Sequence, residues 1–506
     1  MNLQKTDKTI FLPVDILKYI SDYELKVVPG LNTLWNYYQA ENEKILSRKT
    51  PDPNNPDNKI VVPYGRKIVT TFTGYAYRPR YISYKANVEQ ATDVEGELVE
   101  QIDPIEKQVM KELQYVFDKN NEHIKTSRAG RNTAIFGLTY ELMYIDGQIS
   151  TETNLQIKAE PKFFSVDPRE MIVFYNYDPE PKISAAIRYY KMDSPLKYKV
   201  EVYYPDHIDT FIRSRNENSD TWILTFENTY INFYEAVPVV AYYMGDEMLS
   251  IMKPVLSLID AYDVLFSDSM NEFDRFAFAY LIMKKFGLTD PMMKKDPTKV
   301  DQVLKFLKRR RVFENMPADS DIKFLTKDIP TQFIQWMSQV LKEQIHIQSH
   351  VPDFTSPQMA AGISGIAIKR LMFDFENLVS SAEADFDVGL LRRIELIEVI
   401  LKKLNRPNGT TDMISITHKR NAPENLMEYA QTAMTMKSAG FSSYLCADIM
   451  PDDVIPNVEE ELERQRLEQE ALIGANNFGY DPNTELDENG EPIDPNAVDQ
   501  NLGEGA

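Results

Sequence analysis

Asp260, Asp263, Ser267, Asn271 and Asp274 follow one another at steps of three and four residues. On a helix they would share one polar stripe, with Asp268 and Glu272 beside it. Carboxylates clustered in this way can hold two magnesium ions and support metal-assisted cleavage of nucleic acid, with Asp260, Asp263 and Asp274 as the ligands. The solvated face of an amphipathic helix has the same pattern and is its commoner origin. If several copies lined a channel, the stripe would instead form rings of negative charge that keep phosphate from sticking. It could equally face the basic groups of a neighbouring subunit.

Two other groupings invite chemistry. His346 and His350 lie four apart and so share a helix face, a spacing that can hold zinc. Ile347 stands where a metalloprotease needs Glu, and no third ligand is apparent, so two histidines on a polar face is the favoured reading. Gly362 to Lys369 has the look of a phosphate loop, but Lys369 does not directly follow the second glycine and no Ser or Thr follows it. A nucleotide-driven motor is therefore not indicated. Lys305, Lys308, Arg309, Arg310 and Arg311 make the densest basic group. Such a group either ends a helix, where cations complement the dipole, or docks acidic partners or DNA.

The elements that must position these residues can be read from periodicity. Residues 31–48 read as a surface helix, and 50–58 as a loop broken by three prolines. A helix is expected after Pro63. Asp103 and Pro104 are suited to open another helix over 103–117, and one more follows over 121–136. From 138 to 244 the pattern changes to strands: Tyr140, Leu142 and Tyr144 alternate, as do Tyr198, Val200, Val202 and Tyr204. Turn dipeptides such as Asp146-Gly147 and Pro205-Asp206 separate them, which indicates a mostly antiparallel β subdomain. Residues 255–285 read as one long amphipathic helix, 288–330 as a small mixed module holding the basic group, and 331–350 as a second helix ended by Pro352. Ser364 is placed to cap a third, very long helix reaching about Leu404. Helices over 423–438 and 457–473 precede the C-terminal tail.

Composition narrows the class. The 506 residues are 43% hydrophobic and 26% charged, ordinary for a folded protein. A single cysteine, Cys446, excludes an internal disulfide framework and suits a reducing compartment. No apolar run reaches the ~18 residues of a membrane span, and the N-terminus shows no signal core, so assembly in a cytoplasm without membrane insertion is expected. The net charge is −21, unevenly placed. Residues 476–506 hold eight acids and no Lys or Arg, the composition of a disordered tail, whereas 284–311 carries ten Lys or Arg against three Asp. If so acidic a chain handles DNA, it should guide the duplex loosely rather than clamp it.

The order of these features resembles the portal, or head-to-tail connector, proteins of long-tailed bacteriophages, over roughly residues 30–475. Val62-Pro63-Tyr64-Gly65-Arg66-Lys67-Ile68-Val69 followed by Gly74-Tyr75 is similar to that family's N-terminal segment. Residues 134–142 followed by Tyr144-Ile145-Asp146 resemble its entry to the β wing. Leu258 to Asp263, with Ser267-Asp268 and Asn271-Glu272, resembles its first stem helix. Pro352-Asp353-Phe354 through Ser364 to Lys369 resembles its tunnel loop and the helix after it. Met359-Ala360-Ala361-Gly362 stands where the family often has a Phe-Ser-Gly-Asn type of run.

The resemblance implies an α+β portal fold: a wing over 1–254, stem helices over 255–286 and 331–351, and a mixed α/β clip over 287–330. A tunnel loop over 352–363, a long helix returning to the wing over 364–421, a helical crown over 422–475 and the acidic tail complete it. It implies a dodecameric homo-oligomeric ring at one capsid vertex of the virion, among major capsid and scaffold proteins. Double-stranded DNA would pass through it on packaging and ejection. The terminase large subunit, then a head-tail adaptor, would dock on the clip. Thr355, Ser356, Pro357, Gln358 and Met359 would meet the duplex without reading bases, Lys305, Lys308 and Arg309 to Arg311 would form the docking surface, and no cofactor or catalysis is implied. A magnesium-dependent nuclease and a capsid scaffold without a channel are the alternatives.

Overall fold

The computed structural model describes residues 4–468 apart from 7, 9, 50–54, 87–88, 93–97, 102–103, 148–158, 216–220, 278–279, 285–320, 326–330, 357–369, 421–425, 451–453, 456–457 and 459–460. The chain divides into two units: residues 1–362 with 370–421, and residues 363–369 with 422–506. The acidic tail, Ser364 and the segment Gly362 to Lys369 lie outside the described residues.

The first unit opens with β1 (Gln4–Lys5), α1 (Pro13–Lys26), α2 (Val28–Gln39) and the short α3 (Glu43–Leu46). The single helix expected over 31–48 is thus broken. Ala40 takes a left-handed conformation (φ 61°), and its N–H closes onto the last carbonyls of α2. Then come α4 (Tyr64–Ala76), β2 (Ile82–Ala86), β3 (Glu89–Thr92), β4 (Leu98–Gln101), α5 (Pro104–Asn120) and α6 (Glu122–Phe136). Gly137 ends α6 with φ 86°, and a Cβ there would sit 2.3 Å from the Met248 carbonyl oxygen, so only glycine fits.

The β region follows: β5 (Leu138–Asp146), β6 (Glu160–Val166), β7 (Met171–Tyr175), β8 (Ile183–Lys191), β9 (Lys197–Tyr203), β10 (His207–Ser214), β11 (Ile223–Ile231) and β12 (Val239–Tyr243). One sheet has the order β1-β7-β8-β9-β10-β11, antiparallel except where β1 joins β7; a second has the order β12-β5-β6. Ile16, Ile20 and Tyr23 of α1 pack on one face of the larger sheet, against Ile172, Phe174, Ile187, Val200 and Val202. Its other face, through Met171, Val173, Tyr175 and Ala186, meets Leu138, Tyr140, Leu142 and Val239 of the smaller sheet. Being covered on both sides, β7 reads Met-Ile-Val-Phe-Tyr without polar alternation.

Beyond the sheets run α7 (Leu256–Ala277), β13 (Tyr280–Lys284), β14 (Asp321–Leu325), α8 (Thr331–Gln348), α9 (Phe373–Lys403) and β15 (Ile414–His418). The helix expected to reach Lys285 stops at Ala277, because Tyr280 to Lys284 pair antiparallel with Leu325 to Asp321. Tyr-Leu-Ile-Met continues the helical period, yet it also suits a strand, and the partner strand decides. Among the described residues, then, the mixed module between α7 and α8 begins at Tyr280, and its two legs are held side by side.

The long α9 lies on the smaller sheet, where Gly389 lets Tyr242 approach and the Tyr242 and Phe386 rings stand 4.6 Å apart. The second unit contributes α10 (Leu426–Ser438), α11 (Ser443–Asp448) and a helical stretch over 461–468. The sequence had indicated the first and last of these but not α11.

Candidate functional sites: the polar face of α7 and the turn after α8

The acidic stripe is a docking track for the protein's own N-terminal segment. Residues 58–62 run extended along α7. Every second backbone N–H meets a side chain one helical turn further back. Val62 N–H donates to Asp263 Oδ1 (2.8 Å), Ile60 N–H to Ser267 Oγ (3.0 Å) and Asn58 N–H to Asn271 Oδ1 (2.7 Å). Two residues of extended chain span ~6.8 Å and four residues of helix ~6 Å, so the two periods match over this length. The Asn58 side-chain amide adds a bond to Asp274 Oδ2 (2.6 Å). The helix side chains thus satisfy backbone donors of residues 58–62 that a sheet neighbour would otherwise meet.

The upper end of the stripe is met by the segment around α3. Asp260 accepts from Tyr37 Oη (2.5 Å), Asn42 Nδ2 (2.8 Å) and Lys44 Nζ (2.8 Å). Burial would raise its carboxyl, but the bonds from Lys44, Tyr37 and Asn42 outweigh that and hold it below the ordinary value. Asp263, fully buried, has only Val62 N–H and a longer bond from Asn42 (3.3 Å). Burial therefore pushes it up to about 6, with the Val62 and Asn42 bonds pulling the other way and the Asp260 charge adding to the rise. Asp268 pairs with Arg48 at 3.1 Å.

These contacts correct the solvated-face reading of the stripe. Asp263 cannot line a channel, because no part of it reaches solvent. Amide, hydroxyl and ammonium donors already meet both carboxylate oxygens of Asp260 and Asp263 and the Oδ2 of Asp274. Among the described residues no group of three or more His, Cys, Asp or Glu is set to hold a metal ion.

The histidine pair is likewise not one polar face. His346 is buried, and its Nδ1–H donates to the Val351 carbonyl at 2.9 Å. Burial lowers its pKa, with the bond to the Val351 carbonyl pulling the other way. His350 is exposed and takes a left-handed backbone (φ 56°) that ends α8. Asp353 follows and anchors the turn. Its carboxylate accepts from Lys342 Nζ of α8 (2.6 Å), Lys67 Nζ of α4 (3.1 Å), and the Thr355 hydroxyl (2.6 Å) and N–H (3.1 Å). Burial alone would raise it, but those hydrogen bonds outweigh that and hold the carboxyl well below the usual range. Ser356 N–H closes the turn on the Asp353 carbonyl at 3.0 Å. The loop start is thus fixed to two helices at once.

Against this geometry, a family described as phage portal protein, SPP1 Gp6-like, matches residues 17–474. The chain belongs to this portal family. The portal protein of Bacillus phage SPP1 is 23% identical over 346 residues, which is 65% of this chain and 65% of that protein, so the match spans just under two thirds of the relative. Among solved structures, the neck of a native GTA particle computed with C12 symmetry aligns with a TM-score of 0.41 and 10% identity, over 83% of this chain and 94% of the other. The neck of an empty GTA particle computed with C6 symmetry gives 0.39 and 11%, over 82% and 91%.

The portal-family site residues anticipated from sequence are distributed as follows. Thr355 and Ser356 belong to the anchored turn, with the Thr355 hydroxyl turned to Asp353 rather than left open. Pro357, Gln358 and Met359 lie outside the described residues, as do Lys305, Lys308, Arg309, Arg310 and Arg311. In the sequence the latter group stands between β13 and β14.

Sequence reasoning missed one charged cluster altogether. Arg393 of α9, with no exposed surface, bonds Glu141 (2.7 and 3.0 Å), Glu122 (3.0 Å) and the Thr126 hydroxyl (2.8 Å). Its guanidinium also lies 4.6 Å from the centre of the Phe163 ring. The only signal in the sequence was phase: Arg393 falls on the same helical face as Phe386, Leu390 and Ile397, a place a solvated arginine would avoid.

Proposed function

We propose that the chain is the portal subunit of a tailed phage. Copies close into a ring, dodecameric in the virion, at one capsid vertex, and duplex DNA passes through it on packaging and on ejection. The observation that carries this reading is the family match across residues 17–474, nearly the whole chain. Its role is structural rather than catalytic. On this reading the sheets and their helices are the wing, α7 and α8 the stem, and the module beginning at β13 the clip. The turn after Val351 starts the tunnel loop, α9 returns to the wing, and α10 and α11 belong to the crown. The clip, with Lys305, Lys308 and Arg309 to Arg311, receives the terminase large subunit and later the head-tail adaptor. Major capsid and scaffold proteins surround the ring.

Two features of the fold suit such a role. Two helices, α7 and α8, that continue into a paired two-stranded ladder make a stiff spacer. The start of the loop is tied to both α4 and α8 through Asp353, which fixes where it leaves the wall. Contact with DNA falls to Thr355, Ser356, Pro357, Gln358 and Met359, a run without Lys or Arg that would guide the duplex without gripping its phosphates. Negative-stain images of the purified protein should show rings with a central hole. Deleting residues 356–361 should leave those rings intact and abolish DNA packaging; normal packaging by that variant would refute the loop assignment.

A further inference from the structure

The larger sheet has one long free edge. β11 pairs with β10 on one side and, among the described residues, with no strand on the other. Edge strands are commonly kept short, or carry Lys or Pro, which discourages pairing. β11 is nine residues long and has neither; its one irregularity is the register shift opposite Thr210 and Phe211. Its Ile223, Phe226, Tyr230 and Ile231 are 53–67% exposed.

The ladder shows which backbone groups point outward. Asn232 N–H donates to the Asp206 carbonyl at 2.9 Å, and the His207 carbonyl serves Tyr204 N–H on the β9 side. Bonding in an antiparallel ladder alternates residue by residue, so Tyr230 faces β10 while Thr229 and Ile231 turn their N–H and C=O groups to the free edge. Thr229 N–H falls back on Asn228 Oδ1 at 2.9 Å, and Ile231 N–H has no partner among the described residues. At this end of the strand lies a cavity of about 320 Å³, lined from both sheets by Tyr144, Tyr203, Ile208, Tyr230, Phe233 and Tyr234. Opposite Asn232, the exposed Asp206 shares the His207 imidazole with Asp209, at 2.8 and 3.7 Å.

We propose that the free edge of β11 and this cavity form one docking site for an extended segment of another polypeptide. The segment adds a strand beside Thr229 and Ile231, sets a bulky apolar side chain in the cavity, and brings a Lys or Arg to Asp206 and Asp209. This goes beyond the portal reading and is independent of it, since it needs neither the ring nor the clip. Each part of the occupant's chemistry comes from a different feature. A row of outward N–H and C=O groups is matched by another extended backbone. The aromatic-lined hollow selects the side chain. Two carboxylates with one imidazole between them favour a cation. A second copy fits less well. Glu227 is the central residue of β11, so this strand laid antiparallel on its own copy sets Glu227 against Glu227, and like charges directly opposite destabilise a sheet. The opposite edge of the sheet, β1, has two residues and cannot pair with nine.

The test uses the full chain and a fluorescent probe, acetyl-Lys-Thr-Val-Thr-Phe-Thr-Val-Thr-Lys-amide. The parent should bind it saturably by anisotropy. A twin methylated at every internal backbone nitrogen cannot complete a ladder and should bind about tenfold more weakly; a twin with Glu for both Lys should lose about fivefold. Ile231→Pro removes only an outward N–H, which an edge strand tolerates, and should weaken the probe about tenfold with unchanged circular dichroism. The Ile231 amide should exchange freely in the chain alone and slow about tenfold with saturating probe. No saturable binding, or equal binding of the methylated twin, would overturn the site, and neither result depends on a variant that must fold. An Ile231 amide already protected in the dilute free chain would mean that the chain covers its own edge. Protection that grows with protein concentration would assign the edge to a second copy. Either would overturn the proposal and leave the portal reading untouched.

Discussion

Replacing Asp263 by Asn should flatten the stability of the first unit against pH without undoing the docking of residues 58–62. The carboxyl rises from its ordinary 3.8 to about 6 because it is buried. A raised carboxyl favours the protonated form in the folded state. Between those two values the folded chain holds more protons than the unfolded one, so stability falls as pH rises through the window. The difference amounts to about 3 kcal/mol, at 1.36 kcal/mol per tenfold change in proton affinity. Asparagine keeps an oxygen for the Val62 N–H and gives up only the long bond from Asn42, whose Nδ2 would face the new amide nitrogen. It carries no charge to desolvate. Asp263→Ala, in contrast, strands the Val62 N–H and should cost about 1–3 kcal/mol at any pH. The assay is the urea midpoint of the three proteins from pH 4 to pH 8. The Asn variant should match the parent near pH 4 and exceed it above pH 6. A parent curve without a fall in that window, or an Asn variant as damaged as the Ala variant, would refute the assignment of a buried, poorly compensated carboxyl. The same variant bears on nuclease chemistry, since the structure gives this residue a scaffolding role and no change in any DNA cleavage is expected.

Three further outcomes are expected. Arg393→Met should destabilise by about 3–5 kcal/mol, because Glu141 and Glu122 are left buried without a cation; a triple change that also makes both acids Gln should recover most of the loss in urea midpoint. Asp353→Ala should release Thr355, Lys67 and Lys342, costing about 1–2 kcal/mol and speeding limited proteolysis between residues 352 and 370 while the rest of the first unit stays resistant. Reversing the charge of Arg309, Arg310 and Arg311 should weaken capture of motor and adaptor proteins in a pull-down with ring assembly unchanged; equal capture would remove this cluster from the docking surface.

Much of the fold was legible in the sequence because burial imprints a period. The apolar spacing of α4, α5, α6, α8 and α9 gave those helices, and alternation with turn dipeptides gave the antiparallel region. Three matters were decided only by the tertiary structure. Periodicity shows which residues of α7 share a face but not what lies against it, so a stripe bonded to residues 42–62 looked like one facing water. Tyr280 to Met283 fits two periods equally, and pairing with residues 321–325, about 40 positions away, made it a strand. Arg393 found its carboxylates on α6 and β5, more than 250 residues earlier; nothing local records such a partner. The sequence by itself determined which surfaces must leave water, since that follows from residue type and spacing. What each polar group bonds to was settled only when distant segments met.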